Sequence, residues 1–324
     1  MAPSMVDYRA PSLFQPHRAR QAILDAHTGK IPPLLGLYLG LSTVQTARFM
    51  APMGFDMVWV DWEHSACDVE TMTTMCHEIM FMSEGKTIPF VRVPGHDHAA
   101  IGFALDCGAS IVIPQLETVE QAKHVVSSAK FGTKQNGTRS APPFRFIPGL
   151  TDTCIDQSRG IHENLNDQAA IMVQIETLQG IHNLDAILTE VPDIDIVWLG
   201  TLDARVSMNL PANGGMGGTE KEWVDAVAEY ERVLTKHNKP RAGFAFGPSG
   251  KQLAAEKSLI VISSDVMTLM ACMGDLANGR ENYTGKYKTM EVINGVAKEE
   301  EETTSTKEEI VNGAPKVNNA VNSQ

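Results

Sequence analysis

AIMVQIE, residues 170–176, is apolar until its last three positions, where Gln174 and Glu176 break the run. A strand with one wet face alternates polar and apolar residues. A continuous apolar run of this length reads instead as a strand buried on both faces, the pattern of a parallel sheet covered by helices. Working outward, the same pattern recurs at 33–42, DMVWVDW (56–62), TIPFVRV (87–93), SIVIPQL (110–116), DIVWLGT (195–201), PRAGFAF (240–246) and LIVISS (259–264).

Helical patterns separate these runs. One follows the first strand, one spans Asp68 to about Ser83, and one covers Ala99–Cys107. The next places Val119, Ala122, Val126 and Ala129 on one face. An irregular Gly-, Pro- and Ser-rich stretch (132–150) leads to a short helix, and a further helix is expected over Leu178–Glu190. After strand six a glycine-rich loop precedes a helix with Trp223, Val227, Tyr230 and Leu234 inward. Eight strands alternating with helices between residue 33 and about 280 fit a (β/α)8 TIM barrel, which typically needs about 250 residues. A doubly wound open sheet is the rival, with no reason to stop at eight.

Three segments are expected: an N-terminal helical extension (1–30) with a helix over Arg18–His27, the barrel catalytic domain (31–285), and a disordered acidic tail (290–324). The tail carries Lys298-Glu-Glu-Glu-Glu302 and Glu308-Glu309 and has too little apolar surface to offset the entropy of ordering. Net charge is −12 and the sequence pI is near 5.3, which argues against nucleic acid and anionic membranes as partners. No run approaches the roughly 20 apolar residues of a membrane span. The first 20 residues lack the apolar core of a secretory signal. Five scattered cysteines, none in Cys-x-x-Cys spacing, read as reduced thiols. A cytoplasmic protein is the expectation.

Barrels of this kind do their chemistry at the C-terminal ends of the strands. Six of the eight strands carry polar groups there: Asp61-Trp-Glu-His64, Arg92, Gln115, Gln174-Ile-Glu176, Gly200-Thr-Leu-Asp203 and Ser263-Ser-Asp265. Glu176 and Asp203 offer hard carboxylate oxygens without nearby cysteine or paired histidine, a donor set for Mg²⁺ or Mn²⁺ with positions left for water and substrate. Such a cation can take the carboxylate and keto oxygens of a 2-oxo acid and stabilise its enolate. Arg92 supplies a fixed positive charge for a developing oxyanion. His64 can act as general base if Asp61 orients it. The amides of Leu202 and Asp203 could hold the substrate carboxylate.

Structural readings stand beside these. A strand-end aspartate can simply cap the next helix, and Asp265 is read that way. Glu63 is read as solvated or paired with a lysine, and His96-Asp-His98 as a helix start. The Asn213–Gly218 run lacks the Gly-Lys-Ser/Thr ending of a phosphate loop, and no G-x-G-x-x-G follows a strand.

Four blocks carry a family resemblance: Gly54-Phe-Asp-Met-Val-Trp-Val-Asp-Trp-Glu-His64, Val91-Arg-Val-Pro94, Val173-Gln-Ile-Glu-Thr177 and Leu199-Gly-Thr-Leu-Asp203. In order and spacing the chain resembles, over roughly residues 33–280, the HpcH/HpaI family of class II 2-oxo acid aldolases. The resemblance implies Glu176 and Asp203 as metal ligands, with Mg²⁺ first and Mn²⁺ or Co²⁺ as alternatives. It implies Arg92 stabilising a pyruvate enolate, His64 with Asp61 moving the proton through a water, and Gln174 beside the metal. It also implies a small 2-oxo acid of pyruvate or oxaloacetate type as substrate. The implied assembly is a homo-oligomer with the last helix exchanged between neighbours, as helix-swapped dimers or a hexamer.

Two positions depart from the family pattern. Gly200-Thr-Leu-Asp-Ala204 lacks the usual proline, and Ser140 stands where a glycine follows Arg139. In a relative that decarboxylates oxaloacetate and adds the enolate to a pyrone, a tyrosine before strand five holds the pyrone. Here no tyrosine lies between Tyr38 and Tyr230, and Ile161 or His162 occupies that region. Three readings therefore stand: a metal-dependent carbon–carbon lyase, an oxaloacetate decarboxylase with enolate addition in a biosynthetic pathway, and a non-catalytic binding barrel. The loop at 132–166, with a neighbouring subunit, is expected to form the outer wall of the pocket.

Overall fold

A computed structural model describes residues 4–12, 15–145, 147–247 and 250–283. The expected disordered tail at 290–324 lies outside the described residues. The chain divides into two compact units, one ending at Met273 and one beginning at Gly274.

Eight parallel strands close into a barrel in sequence order: β1 (Leu34–Leu39), β2 (Met57–Asp61), β3 (Ile88–Arg92), β4 (Ser110–Ile113), β5 (Ile171–Ile175), β6 (Ile196–Leu199), β7 (Arg241–Phe244) and β8 (Leu259–Ser264). Every apolar run read from the sequence holds a strand; seven are trimmed by one to three residues at an end, and LIVISS is a strand throughout.

The helices are α1 (Ala19–His27), α2 (Val44–Met50), α3 (Val69–Met82), α4 (His98–Asp106), α5 (Val119–Ala129), α6 (Ile161–Gln168), α7 (Leu178–Glu190), α8 (Thr201–Ser207), α9 (Lys221–Lys236), α10 (Gly250–Leu253), α11 (Asp265–Met270) and α12 (Cys272–Asn282). Thr43, Asp68, Asp97, Thr118 and Thr177 cap α2, α3, α4, α5 and α7 by accepting from backbone N–H groups of the first turn. His96-Asp-His98 is thus a helix start, as read.

Two helices differ from expectation. α8 lies directly after β6, before the glycine-rich run, because Arg205 is fully buried and binds both oxygens of Glu220 at 2.9 and 2.8 Å. On α9 the buried residues are Trp223, Ala226, Tyr230, Val233 and Leu234. Val227 lies at the edge of the buried stripe, half-exposed.

Strand residues alternate between two cores. Val58, Val60, Val91, Ile111, Val173 and Val197 face the helices. Met57, Trp59, Ile88, Phe90, Val112, Met172, Ile196, Trp198, Leu259 and Val261 fill the barrel. The interior cluster continues into Ala19, Ala22, Ile23 and Ala26, so α1 closes the N-terminal end of the barrel. A fully buried aliphatic such as Ile23 contributes about 1.5–3 kcal/mol.

The N-terminal segment also carries a pH sensor of stability. His17 is buried, and its Nε2 donates to the Gly85 carbonyl at 2.7 Å, leaving Nδ1 buried without a partner. Burial pushes the imidazole from 6.5 down to about 4. The unfolded chain therefore binds a proton below pH 6.5 that the folded chain refuses until about pH 4. Stability should fall as pH drops through that window, by up to about 3 kcal/mol, and be flat above it. Urea titrations of His17→Gln against the parent between pH 4 and 7 check this; parallel pH slopes would refute it.

The segment between α5 and α6 joins a helix end to the start of β5, so it lies at the N-terminal mouth. Gln15 donates to the Thr151 and Thr153 carbonyls at 3.3 and 2.8 Å, and Gln168 to the Pro16 carbonyl at 2.6 Å, tying it beneath the barrel. Strand direction thus places this loop at the N-terminal mouth of its own chain, so the outer wall expected of the loop with a neighbouring subunit would have to be built across a subunit boundary. Among the described residues no helix is long and apolar enough to cross a membrane.

Candidate active site

Stepping by two along the inward faces carries Trp59 to Asp61, Phe90 to Arg92, and Met172 to Gln174 and then Glu176. The same pleat that buries the interior core thus aims these polar side chains into the C-terminal mouth. Register completes the arrangement, because Asp61 and Arg92 are direct neighbours across the β2–β3 ladder.

Arg92 clamps Asp61 with two bonds, Nε to Oδ1 at 2.9 Å and Nη2 to Oδ2 at 2.8 Å. Both side chains are buried. Burial alone would raise Asp61, but the bonds and charge of Arg92 outweigh it and hold the carboxyl below its ordinary range. The Arg92 guanidinium lies 5.4 Å from the Trp59 ring centre, reaches Glu63 Oε2 at 3.1 Å and donates to Gln174 Oε1 at 3.4 Å.

Gln174 in turn donates to Glu176 Oε1 at 3.0 Å, while the Gln115 amide donates to Oε2 at 2.8 Å. Burial, with the Asp203 charge adding, pushes Glu176 up to about 7. Glu176 packs so closely on Gly200 that a Cβ there would stand 2.4 Å from Oε1. Asp203 is exposed in the first turn of α8, where amide N–H groups, including that of Leu202, have no intrahelical acceptor.

The rim therefore brings Asp61, Arg92, Gln174 and Glu176 into one bonded chain, with Asp203 acting on Glu176 through its charge. It does not join Asp61 to the His64 ring. From His64, Asp61 accepts the backbone N–H alone, at 3.4 Å. The imidazole is 67% exposed, and its Nε2 lies 3.6 Å from Glu63 Oε2. Glu63, read as solvated or paired with a lysine, instead sits between Arg92 and His64. Burial raises its carboxyl, against the pull of Arg92 and His64.

Asp265 is not a cap. Ser264 caps α11, and the buried Asp265 accepts from the Gly40 and Leu41 amides at 2.8 and 2.9 Å, fastening the loop after β1.

Tyr38 is the functional side chain that the sequence reading passed over. Its hydroxyl donates to Asp61 Oδ2 at 2.7 Å and accepts from Arg92 Nη2 at 3.3 Å. The signal was there: Tyr38 is a hydroxyl-bearing residue near the end of an otherwise apolar strand. Tyr38→Phe should cost about 1–3 kcal/mol, since a buried carboxylate loses a donor, and it should slow turnover about tenfold by loosening Arg92. Denaturant melts paired with steady-state kinetics decide this; parent-like values in both would leave Tyr38 as filler.

A divalent cation fits this rim as an open site. Glu176 and Asp203 supply hard oxygens, the Gly200 cradle fixes one of them, and two carboxylates close enough to raise Glu176 are a pair that a cation relieves. Among the described residues no group of three or more His, Cys, Asp or Glu is placed to hold a metal. A full protein cage is therefore not what the described rim offers.

Fold and rim together define an α/β barrel with an acid- and arginine-lined mouth at the C-terminal ends of its strands. The HpcH/HpaI aldolase/citrate lyase family matches over residues 34–239, and the chain belongs to that family. It is 31% identical over 185 residues to the 2-keto-3-deoxy-L-rhamnonate aldolase of Salmonella gallinarum, covering 56% of this chain and 64% of that protein. The match thus spans less than two thirds of the curated relative's length. The crystal structure of macrophomate synthase superposes with a TM-score of 0.79 at 29% identity, covering 89% of this chain and 96% of that one. An HpcH/HpaI family protein from Burkholderia cenocepacia superposes with a TM-score of 0.68 at 23% identity, over 82% and 99% of the two chains, a likeness of fold.

Proposed function

We propose that this protein is a carbon–carbon lyase that cleaves or forms the bond beside the carbonyl of a small 2-oxo acid, through an enolate of pyruvate type. The observation that carries the reading is the buried Asp61–Arg92 pair linked through Gln174 to Glu176 at the C-terminal mouth. A divalent cation, Mg²⁺ first, held by Glu176 and Asp203, would supply Lewis-acid stabilisation of the enolate charge.

The chain's own residues do the rest. Arg92 is locked by Asp61 and Tyr38, so its guanidinium meets the developing oxyanion without reorganising. The amides of Leu202 and Asp203 are the donors for the substrate carboxylate. His64, with Glu63 facing it, takes the proton of the 4-hydroxyl as the C3–C4 bond breaks. The bond electrons pass into the enolate, which is protonated at C3 to leave pyruvate and an aldehyde.

The likeness to macrophomate synthase favours a second reading in the same site, in which oxaloacetate loses CO₂ and the enolate adds to an electrophile. Exposed Met267, Leu269 and Met270 on α11 further suit a homo-oligomer, which light scattering of the purified protein would read as a mass above one chain.

The test is pyruvate release from oxaloacetate and from 4-hydroxy-2-oxo acids, with Mg²⁺, with chelator and with Asp203→Asn. Release that needs the cation and vanishes in the variant is expected. Failure of both substrates with every divalent metal would sink the lyase reading and leave a binding barrel.

A further inference from the structure

We propose that Phe244 and Phe246 form an aromatic shelf at the C-terminal mouth, and that this shelf selects an aldehyde half with an apolar, flat carbon body over a hydroxylated one. The inference rests on the lyase reading above and names the substrate class within it.

The other strands, or the turns after them, deliver hydroxyl, amide, carboxylate or guanidinium groups to the rim. The end of β7 and the chain leaving it, Ala242-Gly-Phe-Ala-Phe-Gly247, deliver none. Stepping by two carries Ala242 of the interior core to Phe244 and then to Phe246, which packs against the same core.

Phe244 therefore tops the interior stack. Its ring is perpendicular to Trp198 at 4.7 Å and to Tyr38 at 6.1 Å, and it lies against Phe246 at 4.8 Å with 28° between the planes. The Tyr38 hydroxyl is bonded to Asp61 and Arg92, so only one ring separates Phe244 from that pair. The barrel beneath is filled, yet Phe244 is 38% exposed. Its open surface faces the mouth.

Pyruvate alone cannot use this surface. In the lyase reading its oxygens go to the cation, Arg92 and the amides of Leu202 and Asp203, and one methyl carbon remains. The carbon body beyond C4 of a 4-hydroxy-2-oxo acid is what is left to meet the rings. A polyol there would give up hydrogen bonds to water without gaining partners, whereas an aryl group displaces water from an apolar face. The cleavage balances as before: the C3–C4 electrons enter the enolate, the 4-hydroxyl loses its proton and C3 gains one, leaving pyruvate and an aromatic aldehyde.

Pyruvate release by the full chain with Mg²⁺ tests this, using 4-hydroxy-2-oxo acids that would yield benzaldehyde or glyceraldehyde. Oxaloacetate is the comparator without an aldehyde half. The aryl substrate is expected to lead in kcat/KM by about tenfold or more, the scale on which apolar pockets discriminate. Phe244→Leu should erase most of that lead, with Phe244→Met in its place if circular dichroism shows that the leucine variant fails to fold. Release from oxaloacetate without an aryl preference, or a preference indifferent to residue 244, would overturn the shelf and leave the lyase reading standing. A loss in Phe244→Leu shared equally by oxaloacetate would also overturn it, assigning the rings to the pyruvate half. No release from any of the three substrates would end the lyase reading and this inference with it.

Discussion

Arg92→Lys is expected to lower kcat/KM for pyruvate release by about 10²–10³-fold, the range seen when one donor to a developing oxyanion is lost. Lysine keeps the charge but not the fork. Arg92 spends Nε and Nη2 on Asp61 and turns Nη1 toward Gln174. A single ammonium can satisfy one of these directions at a time, so the charge that should meet the enolate is no longer held in place. The loss should appear mainly in kcat, because the interaction strengthens as the oxyanion forms. Breaking a buried ion pair altogether typically costs about 3–5 kcal/mol, and lysine, as a partial replacement, should cost less. A variant within threefold of the parent in kcat/KM would remove Arg92 from the chemistry and leave it a structural partner of Asp61.

Gly200→Ala is the second large effect, and it acts without replacing a charged residue. A Cβ at this position would lie 2.4 Å from Glu176 Oε1, 2.5 Å from its Cγ and 2.9 Å from its Cδ. Because the clash includes the Cγ and Cδ atoms, a small rotation of the carboxylate cannot relieve it. Glu176 must swing away from the Gln174 and Gln115 donors that fix it. Cation affinity, read by calorimetry, should fall at least tenfold and lyase turnover by about 10²-fold, comparable to misplacing a catalytic group by an ångström. The far-ultraviolet circular dichroism should be unchanged. Parent-like cation affinity would mean that Glu176 is not a ligand or that α8 yields readily.

These two variants separate the parts of the proposed site. One disturbs the cation of the side chain, the other the seat of the metal ion. If Arg92→Lys fails to turn over while binding Mg²⁺ normally, and Gly200→Ala fails at both, the division of labour between Arg92 and Glu176 stands as drawn.

Much of the fold was legible in order of residues. Strands buried on both faces must be apolar throughout, so runs such as AIMVQIE announce themselves, and eight of them alternating with helices leave few architectures. Strand direction then places Asp61, Arg92, Gln174 and Glu176 at one rim, because a parallel barrel puts every strand's C-terminus on the same side. Helix starts at Asp68, Asp97 and Thr177 were legible for a similarly local reason: a cap bonds to amides three residues on.

What the one-dimensional pattern could not contain were the partnerships across strands. Asp61 was assigned to His64 because they are neighbours in sequence; the barrel gave it to Arg92 and Tyr38, neighbours in space. Asp265 looked like a cap and instead fastens the loop after β1, on the adjacent strand. α8 was missed because its stability rests on Arg205 meeting Glu220, fifteen residues away. The 132–166 loop joins a helix to the start of β5, and its ties to the N-terminal segment through Gln15 and Gln168 join residues too far apart in the chain to be read from local pattern. Local sequence thus determined the elements, their order and the rim on which polar groups gather, since backbone hydrogen bonding and burial act over a few residues. Only tertiary structure decided which carboxylate pairs with which cation, since a buried charge takes the partner that the sheet's register delivers to it.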